Sequence, residues 1–545
     1  METNGQPDLL NAAVILVDDH LARGRGAKPA IFCGEETVTY QQLHEAVNRF
    51  GNGLRELGVR REERVALLLP DSPPWVYAFF GTMKIGAVAV PMSTMLTPRE
   101  YEYLLNDSRA RVLVVHEAMA GMIERIRAGL SHLAYILVVG GEQDRRLDGW
   151  LCFNRLMCDA SPRLDVVPTH KDDVAFWLYS SGTTGFPKGT IHLHHDMIVA
   201  ADSYARDTIS LREEDVSFSI AKLFFAYGLG NGLYFPLRTG GTTVLLPERP
   251  TPEVVFRTID RYRPTVFYGV PTSYVALLQE AEKTGRTSLG AVGMCVSAGE
   301  TLPPHTFLRW RERFGVEILD GIGSTEILHI FISNRPGQAR PGSTGQIVPG
   351  FEARIVDDEG RDLPVGEVGT LLIKGDSIAA GYWNKHEATK QTFGGHWINT
   401  YDSFMIDHDG YFWYAGRVND MMRVSGHSVW PTEVEAVLLK HPAVLESSVT
   451  GAVNDDGLLK PVAYVVLRPA FQPSAELAEE LQQFVKHNAA PYKYPRAVVF
   501  VDQLPKTPTG KIKHFELRQR AAHDGLLRRS TAPPRPGSDG KGSPP

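Results

Sequence analysis

The stretch 178-LYSSGTTGFPKGTIHLHH-195 places two serines, three threonines, three glycines, a proline and a lysine between an apolar run and a string of histidines. Backbone N–H groups in a glycine-rich turn can converge on one anion. The hydroxyls of Ser180, Ser181, Thr183 and Thr184 add donors, and Lys188 adds a mobile positive charge. The loop is therefore suited to a polyphosphate. It is not a Walker A loop, because Pro187 stands where that motif has glycine and Gly189 follows the lysine in place of Ser or Thr. His192, His194 and His195 come next, at a spacing that fits no secure metal-ligand set without an acidic or cysteine partner.

Outward from the loop, apolar runs recur between helix-length segments: Val65–Leu69, Ala87–Val90, Val112–Val115, Tyr135–Val139, Val174–Tyr179, Thr243–Leu246, Thr265–Tyr268, Met294–Ser297 and Glu317–Leu319. Runs that are continuously apolar, rather than alternating, predict strands buried on both faces of a mainly parallel sheet in an α/β protein. Tyr40–Leu57 and Pro271–Lys283 carry helical spacing between them. In such sheets ligands sit beyond the strand C-termini. From about Gly345 the texture shifts to short strands and turn residues, predicting a small β-rich subdomain. A mixed helix and strand segment follows Arg417, and the Pro-, Gly- and Ser-rich end of the chain has little to bury and is expected to be disordered.

Bulk properties exclude several classes. A chain of 545 residues, 43% of them hydrophobic, can build more than one core. A net charge of −6 without a basic block argues against a nucleic-acid partner. Cys33, Cys152, Cys158 and Cys295 are too few for a disulfide framework and read as thiols of a reducing cytoplasm. No run approaches the roughly 18 apolar residues of a membrane span, so a cytoplasmic protein without a membrane partner is expected, and a homodimer is the base-rate oligomer.

The string Tyr179–Gly189 resembles the phosphate-binding signature of the adenylate-forming superfamily of acyl-CoA synthetases, luciferases and peptide-synthetase adenylation domains. Further blocks extend the resemblance over about Leu21 to Arg520. It implies an α/β fold with a large N-terminal domain of mainly parallel sheets (1–418, its β-rich subdomain at about 345–418). A small mobile α+β domain (419–524) and a disordered tail (525–545) follow. It assigns the phosphates of ATP to Ser180, Ser181, Gly182, Thr183, Thr184, Gly185 and Lys188. In 321-GIGSTEILHI-330, Thr325 takes the α-phosphate and Glu326 takes Mg²⁺. A hard divalent cation independently favours a carboxylate oxygen.

Gly299 and Glu300 of 297-SAGETL-302, with Asp320, Gly321 and Ile322, match segments that line the adenine. Many superfamily members carry an aromatic where this chain has Ile322. In 400-TYDSFMIDHDGYFWYAGR-417, Asp402 matches the aspartate that accepts from both ribose hydroxyls, and Arg417 the arginine beside it; the family usually has glycine in place of Tyr401. Lys511, in 504-LPKTPTGKIKHFELR-518, matches the lysine that offsets the repulsion between carboxylate and α-phosphate in the transition state. Asn419 matches the hinge, commonly aspartate in the family, and Gly426 a residue beside the pantetheine tunnel of coenzyme A.

The stretches 221-AKLFFAYGLGNGLYFPL-237 and 320-DGIGSTEILHIFISN-334 look most like the benzoate-CoA ligase branch. Ala226, Tyr227 and Gly228 would outline a flat ring pocket closed by His329 and Ile330, and Tyr227 or His329 could pair with a ring substituent. The resemblance implies that a small aromatic acid, ATP and CoA become aryl-CoA, AMP and pyrophosphate. Two other readings stay open: a free-standing adenylation enzyme that loads an aryl acid onto a carrier-protein pantetheine thiol, and a non-catalytic nucleotide-binding protein.

Overall fold

The structure is a computed structural model that describes residues 8–140, 150–180, 187–417, 422–424, 427–453, 458–489, 493–506 and 512–523. Two sheets dominate the first of two compact units, which comprises Met1–Thr400 and Phe404–Tyr414. One has eight strands in the order Gly381–Tyr382, Lys188–Leu193, Val174–Ser180, Val88–Pro91, Arg64–Leu68, Val112–His116, Tyr135–Val139 and Trp150–Cys152. All its neighbours are parallel except the Gly381–Tyr382, Lys188–Leu193 and Val174–Ser180 edge, which is antiparallel.

The other sheet has nine strands. Pro29–Cys33, Thr242–Val244, Val216–Ser219, Val266–Gly269, Met294–Ser297 and Ile318–Gly323 are parallel in that order. Ile330–Ser333 and Gln346–Ile347 extend it antiparallel beyond Ile318–Gly323, and Glu36–Thr39 does so at the opposite edge. The continuous apolar runs are thus the buried strands of two mainly parallel sheets, each ending in an antiparallel edge that the runs do not signal. A five-stranded sheet, built on Glu352–Val356, Gly369–Lys374 and Trp397–Ile406, supplies the β-rich texture after Gly345.

Helix Tyr40–Glu56 starts where Thr39 and Gln42 cap each other reciprocally, the Thr39 N–H donating to Gln42 Oε1 at 2.8 Å. Helix Pro271–Thr284 opens with proline in its first turn and stops at Gly285, whose φ of 73° only glycine adopts freely. Between the sheets, Trp75 stacks on Phe79 and Phe79 meets Phe176 edge-on, in a core shared by helix Pro73–Lys84 and the loop-bearing strand.

The second unit comprises Tyr401–Ser403 and the described residues from Ala415 onward. It holds an antiparallel pair, Val444–Val453 with Leu459–Leu467, a parallel third strand, Ala497–Phe500, and helices Pro431–Leu438, Ala475–Asn488 and His514–His523. Its core gathers Val434, Leu438, Val449, Val465, Leu481 and Val485. Among the described residues no helix is long and apolar enough to cross a membrane.

Two expected outcomes follow from this packing. Gly345 has φ of 101°, and a Cβ there would lie 1.9 Å from the backbone carbon of Ser333. Gly345→Ala should therefore cost on the order of 3–5 kcal/mol, read as a lower midpoint in a urea melt, whereas Gly360→Ala, with open space around it, should cost only its φ strain of roughly 1 kcal/mol. His20 and His194 are buried, and burial pushes both imidazoles from 6.5 down to about 4. Each stays neutral in the fold while the unfolded chain takes a proton, so stability is lost as pH falls from 6.5 toward about 4. The loss approaches about 1.4 kcal/mol per pH unit for each ring. The drop in melting temperature on acidification should be shallower in His194→Asn than in the parent chain.

Candidate functional site

Both ends of the phosphate-loop segment are fixed by the first unit. Tyr179 pairs with Gly189 and Ser180 with Lys188 across the antiparallel strands. Ser181, Gly182, Thr183, Thr184 and Gly185 lie outside the described residues. The Tyr179 hydroxyl donates to Asp107 Oδ2 at 2.7 Å and the Tyr103 hydroxyl to the Pro187 carbonyl at 3.2 Å. Trp383 donates its indole N–H to the Asp107 carbonyl and its backbone N–H to the Gly189 carbonyl. Burial, with the Asp107 carboxylate second, pushes the Tyr179 phenol far above its ordinary pKa, so it remains a donor.

Opposite this hairpin, Ile318–Gly323 turns through Ser324–Leu328 into Ile330–Ser333. Three successive carbonyls in the turn are taken by three different partners. Thr325 accepts from His192 Nε2 at 2.8 Å, Glu326 from the Ala379 N–H at 2.8 Å, and Ile327 from Ser377 Oγ at 2.9 Å. Leu328, fully buried, sits at φ 75° and ψ −41°, which a side chain adopts only under strain of about 1–3 kcal/mol.

The Glu326 carboxylate that this turn presents accepts from the Tyr382 hydroxyl at 2.8 Å and the Ser180 hydroxyl at 3.3 Å. Lys188 Nζ lies 4.2 Å from the centre of the Tyr382 ring. Ser180, Lys188, Thr325 and Glu326 are therefore one cluster, and Tyr382, at its centre, was not singled out by the sequence. A Gly-Tyr pair 56 residues beyond Glu326 carries no local signal of the partner it will find.

Gly299 and Glu300 follow strand Met294–Ser297, whose register sets Ser297 beside Asp320 on Ile318–Gly323. All five residues expected to line the adenine thus cluster at the same end of two adjacent strands. Gly299 has φ of 91°, a conformation open to glycine. A Cβ at Gly321 would meet the Ile332 carbonyl at 2.9 Å, and one at Gly323 the His329 carbonyl at 2.6 Å. Ile322 pairs with Ile332 just before a bulge. Asp320 is buried, and its carboxyl is pushed up to about 8 by the loss of solvent.

Ala226, Tyr227 and Gly228 begin helix Ala226–Leu229, which widens into π-type turns over Gly230–Tyr234. His329 packs against Phe235, Tyr204 and Tyr227, with ring centres 4.4, 5.4 and 5.7 Å away. Its Nε2 donates to the Tyr227 carbonyl at 3.2 Å, and burial pushes the imidazole down to about 3, keeping it neutral. A Cβ at Gly230 would strike His329 Cδ2 at 2.4 Å. Ile330 lies buried beside Gly321. The Tyr227 hydroxyl, expected as one partner for a ring substituent, donates instead to the Gly269 and Val296 carbonyls at 3.0 and 3.2 Å. His329 Nδ1 has no hydrogen-bond partner among the described residues.

The three histidines after the loop separate by role. His194 accepts from the Ala12 N–H, His195 faces the Lys171 and Asp376 carbonyls, and His192 alone meets the Thr325 turn. Among the described residues no group of three or more His, Cys, Asp or Glu could hold a metal. In the second unit, Arg417 Nε pairs with Asp402 Oδ1 at 2.9 Å, and Tyr401 takes φ of 58°. The backbone at Tyr401 thus keeps a conformation suited to glycine although the residue is tyrosine. Lys511, Asn419 and Gly426 lie outside the described residues.

Comparison with known proteins agrees with this fold. Residues 18–383 match the AMP-binding enzyme model and 433–511 the AMP-binding enzyme C-terminal domain. The chain is 45% identical to the benzoate–CoA ligase of Thauera aromatica, over 94% of this chain and 96% of that one. It is 42% identical to a 4-hydroxybenzoate–CoA/benzoate–CoA ligase of Rhodopseudomonas palustris, over 97% and 98%. An anthranilate CoA ligase in complex with anthranoyl-AMP superposes with a TM-score of 0.88 at 43% identity, over 96% of this chain and 99% of that one. A benzoate CoA ligase from Burkholderia xenovorans gives 0.85 at 44%, over 94% and 100%. With two mainly parallel sheets meeting at a clamped Thr-Glu turn, and relatives of this identity along nearly its whole length, the chain belongs to the AMP-binding enzyme family.

Proposed function

We propose that this chain is an AMP-forming acid–thiol ligase that activates benzoate, or a lightly substituted benzoate, with ATP and passes the acyl group to coenzyme A. The observation that carries the reading is the Glu326 carboxylate, presented by a strained turn and held by neutral hydroxyls beside the Lys188 cation. In the first half-reaction an oxygen of the acid bonds to the α-phosphorus and the bond to the β-phosphate oxygen breaks, releasing pyrophosphate. In the second, the CoA sulfur bonds to the acyl carbon, AMP leaves with the electron pair, and the thiol proton passes to solvent. The relatives named as CoA ligases favour CoA over a carrier-protein thiol.

The oxygen donors around Glu326 suit Mg²⁺, which typically takes one or two carboxylates and completes its shell with phosphate and water rather than an all-protein cage. An ion held there would supply charge neutralisation to the phosphates. Glu326 would hold it and Thr325 would meet the α-phosphate. Ser180, Ser181, Gly182, Thr183, Thr184, Gly185 and Lys188 would receive the remaining phosphates. Gly299, Glu300, Asp320, Gly321 and Ile322 would line the adenine, Asp402 and Arg417 would serve the ribose, and Gly426 would flank the pantetheine arm. Lys511 would steady the first half-reaction, with Asn419 as the hinge.

Ala226, Tyr227, Gly228, His329 and Ile330 would enclose the ring. A neutral imidazole beside a committed phenol makes that wall apolar, and His329 Nδ1 adds one acceptor. This supports tolerance of an acid with a ring hydroxyl or amino donor alongside benzoate itself.

Pyrophosphate release across a panel of benzoates and fatty acids, with mass detection of the CoA product, tests the reading. Benzoate and its hydroxy or amino derivatives should turn over and long-chain acids should not; activity confined to aliphatic acids would overturn it. Ala226→Leu should raise the KM for benzoate about tenfold or more by filling the ring site, with the KM for ATP little changed. Lys511→Ala should slow acyl-AMP formation by about 10²–10³-fold while thioester formation from supplied benzoyl-AMP changes far less.

A further inference from the structure

The adenylation machinery contacts one buried polar chain that phosphate, metal and acid binding leave unexplained. His192 and Asp196 lie on the strand and helix that follow the phosphate loop, and both side chains are fully buried. His192 Nδ1 meets Asp196 Oδ2 at 2.8 Å, and Nε2 meets the Thr325 carbonyl at 2.8 Å, 133 residues away in sequence. Asp196 Oδ2 also accepts the Leu193 N–H, and the imidazole stacks on Phe176 with ring centres 5.1 Å apart. Carboxylate and ring are thereby locked in one orientation.

We infer that His192, oriented by Asp196, is a positioning residue for the metal-binding turn. It fixes the Thr325 carbonyl so that the Glu326 carboxylate and the Thr325 hydroxyl are set before ATP and Mg²⁺ arrive. The inference rests on the reading of Glu326 as the metal carboxylate. The Thr325 carbonyl also accepts the Leu328 N–H at 3.2 Å, the bond that closes the strained turn. A tight turn with a buried leucine at positive φ persists only where its surroundings over-determine it, and His192 supplies a bond across from the other sheet.

Burial of a carboxylate and an imidazole is costly, and apolar residues of like volume commonly pack at least as stably. A purely structural role would therefore be served as well by a pair without polar atoms. A group that orients a ligand-bearing segment acts as outer-shell partners of metal ligands do, where loss weakens metal affinity or activity by about 10–100-fold.

Two amide substitutions separate positioning from packing. The amide nitrogen of asparagine overlays Nδ1 and reaches Asp196 only, whereas that of glutamine overlays Nε2 and reaches the Thr325 carbonyl. We expect His192→Asn to slow benzoate-dependent ATP–pyrophosphate exchange by about twentyfold and to raise the half-saturating Mg²⁺ concentration about fivefold, with the benzoate KM within about twofold. Calorimetry with a non-hydrolysable ATP analogue and Mg²⁺ should show the same weakening. His192→Gln should stay within about threefold of the parent chain in each measurement.

Equal impairment of the two variants, or an effect confined to melting temperature, would overturn the inference. If His192→Asn does not fold, His192→Phe, which keeps the stack on Phe176, takes its place with the same expectation. Absence of exchange in the parent chain would instead remove the ligase reading, while the calorimetric contrast would still decide the role of His192.

Discussion

On the proposed reading Glu326 is a carboxylate that must be held in place without being committed to a cation of the protein, and the strands that meet at it satisfy that requirement. Glu326 is steadied by two hydroxyl donors, whose hydrogen bonds to a carboxylate are each worth about 1.5–3 kcal/mol and can be exchanged for other ligands. The ammonium of Lys188 rests over the Tyr382 ring, an attraction of about 0.5–2 kcal/mol made to the ring and not to the carboxylate. Had the two ions collapsed into a half-buried salt bridge, separating them would cost the desolvation of both. Tyr382 serves both groups at once, its hydroxyl toward the acid and its face toward the base.

The sheets make this arrangement possible. Long parallel runs build a rigid interior, and each sheet ends in antiparallel strands where the chain doubles back within a few residues. The phosphate-loop hairpin is one such edge and the Thr-Glu turn joins the strands of the other. Of the non-glycine residues that take positive φ, Leu328 in the first unit stands two residues beyond Glu326 and Tyr401 in the second directly precedes Asp402.

The sequence was informative wherever the signal was local. Buried strands such as Val112–His116 and Met294–Ser297 announced themselves as unbroken apolar runs, and Thr39 with Gln42 announced a helix start. Ordered motifs located Ser180, Lys188, Thr325 and Glu326, which the fold gathers into one cluster. What sequence could not disclose was pairing at a distance. Tyr382, His192 and Asp107 matter through partners 56, 133 and 72 residues away, and nothing in their immediate neighbours marks them. The Tyr227 hydroxyl is the reverse case, since its residue was expected at the ring pocket while its proton is taken by two backbone carbonyls that only the folded chain brings near.

Gly381–Tyr382 is a strand of two residues, paired as Gly381 with Ile191 and Tyr382 with Thr190 on the strand that also carries Lys188 and His192. Side chains alternate faces along a strand, so sliding this short ladder by one residue would turn Tyr382 away from both of its ionic neighbours. The segments 188–193 and 379–383 are consequently a single inheritable unit. A chimera that takes one from a relative without the other would keep every residue of its phosphate motif and still mis-set the acid it serves.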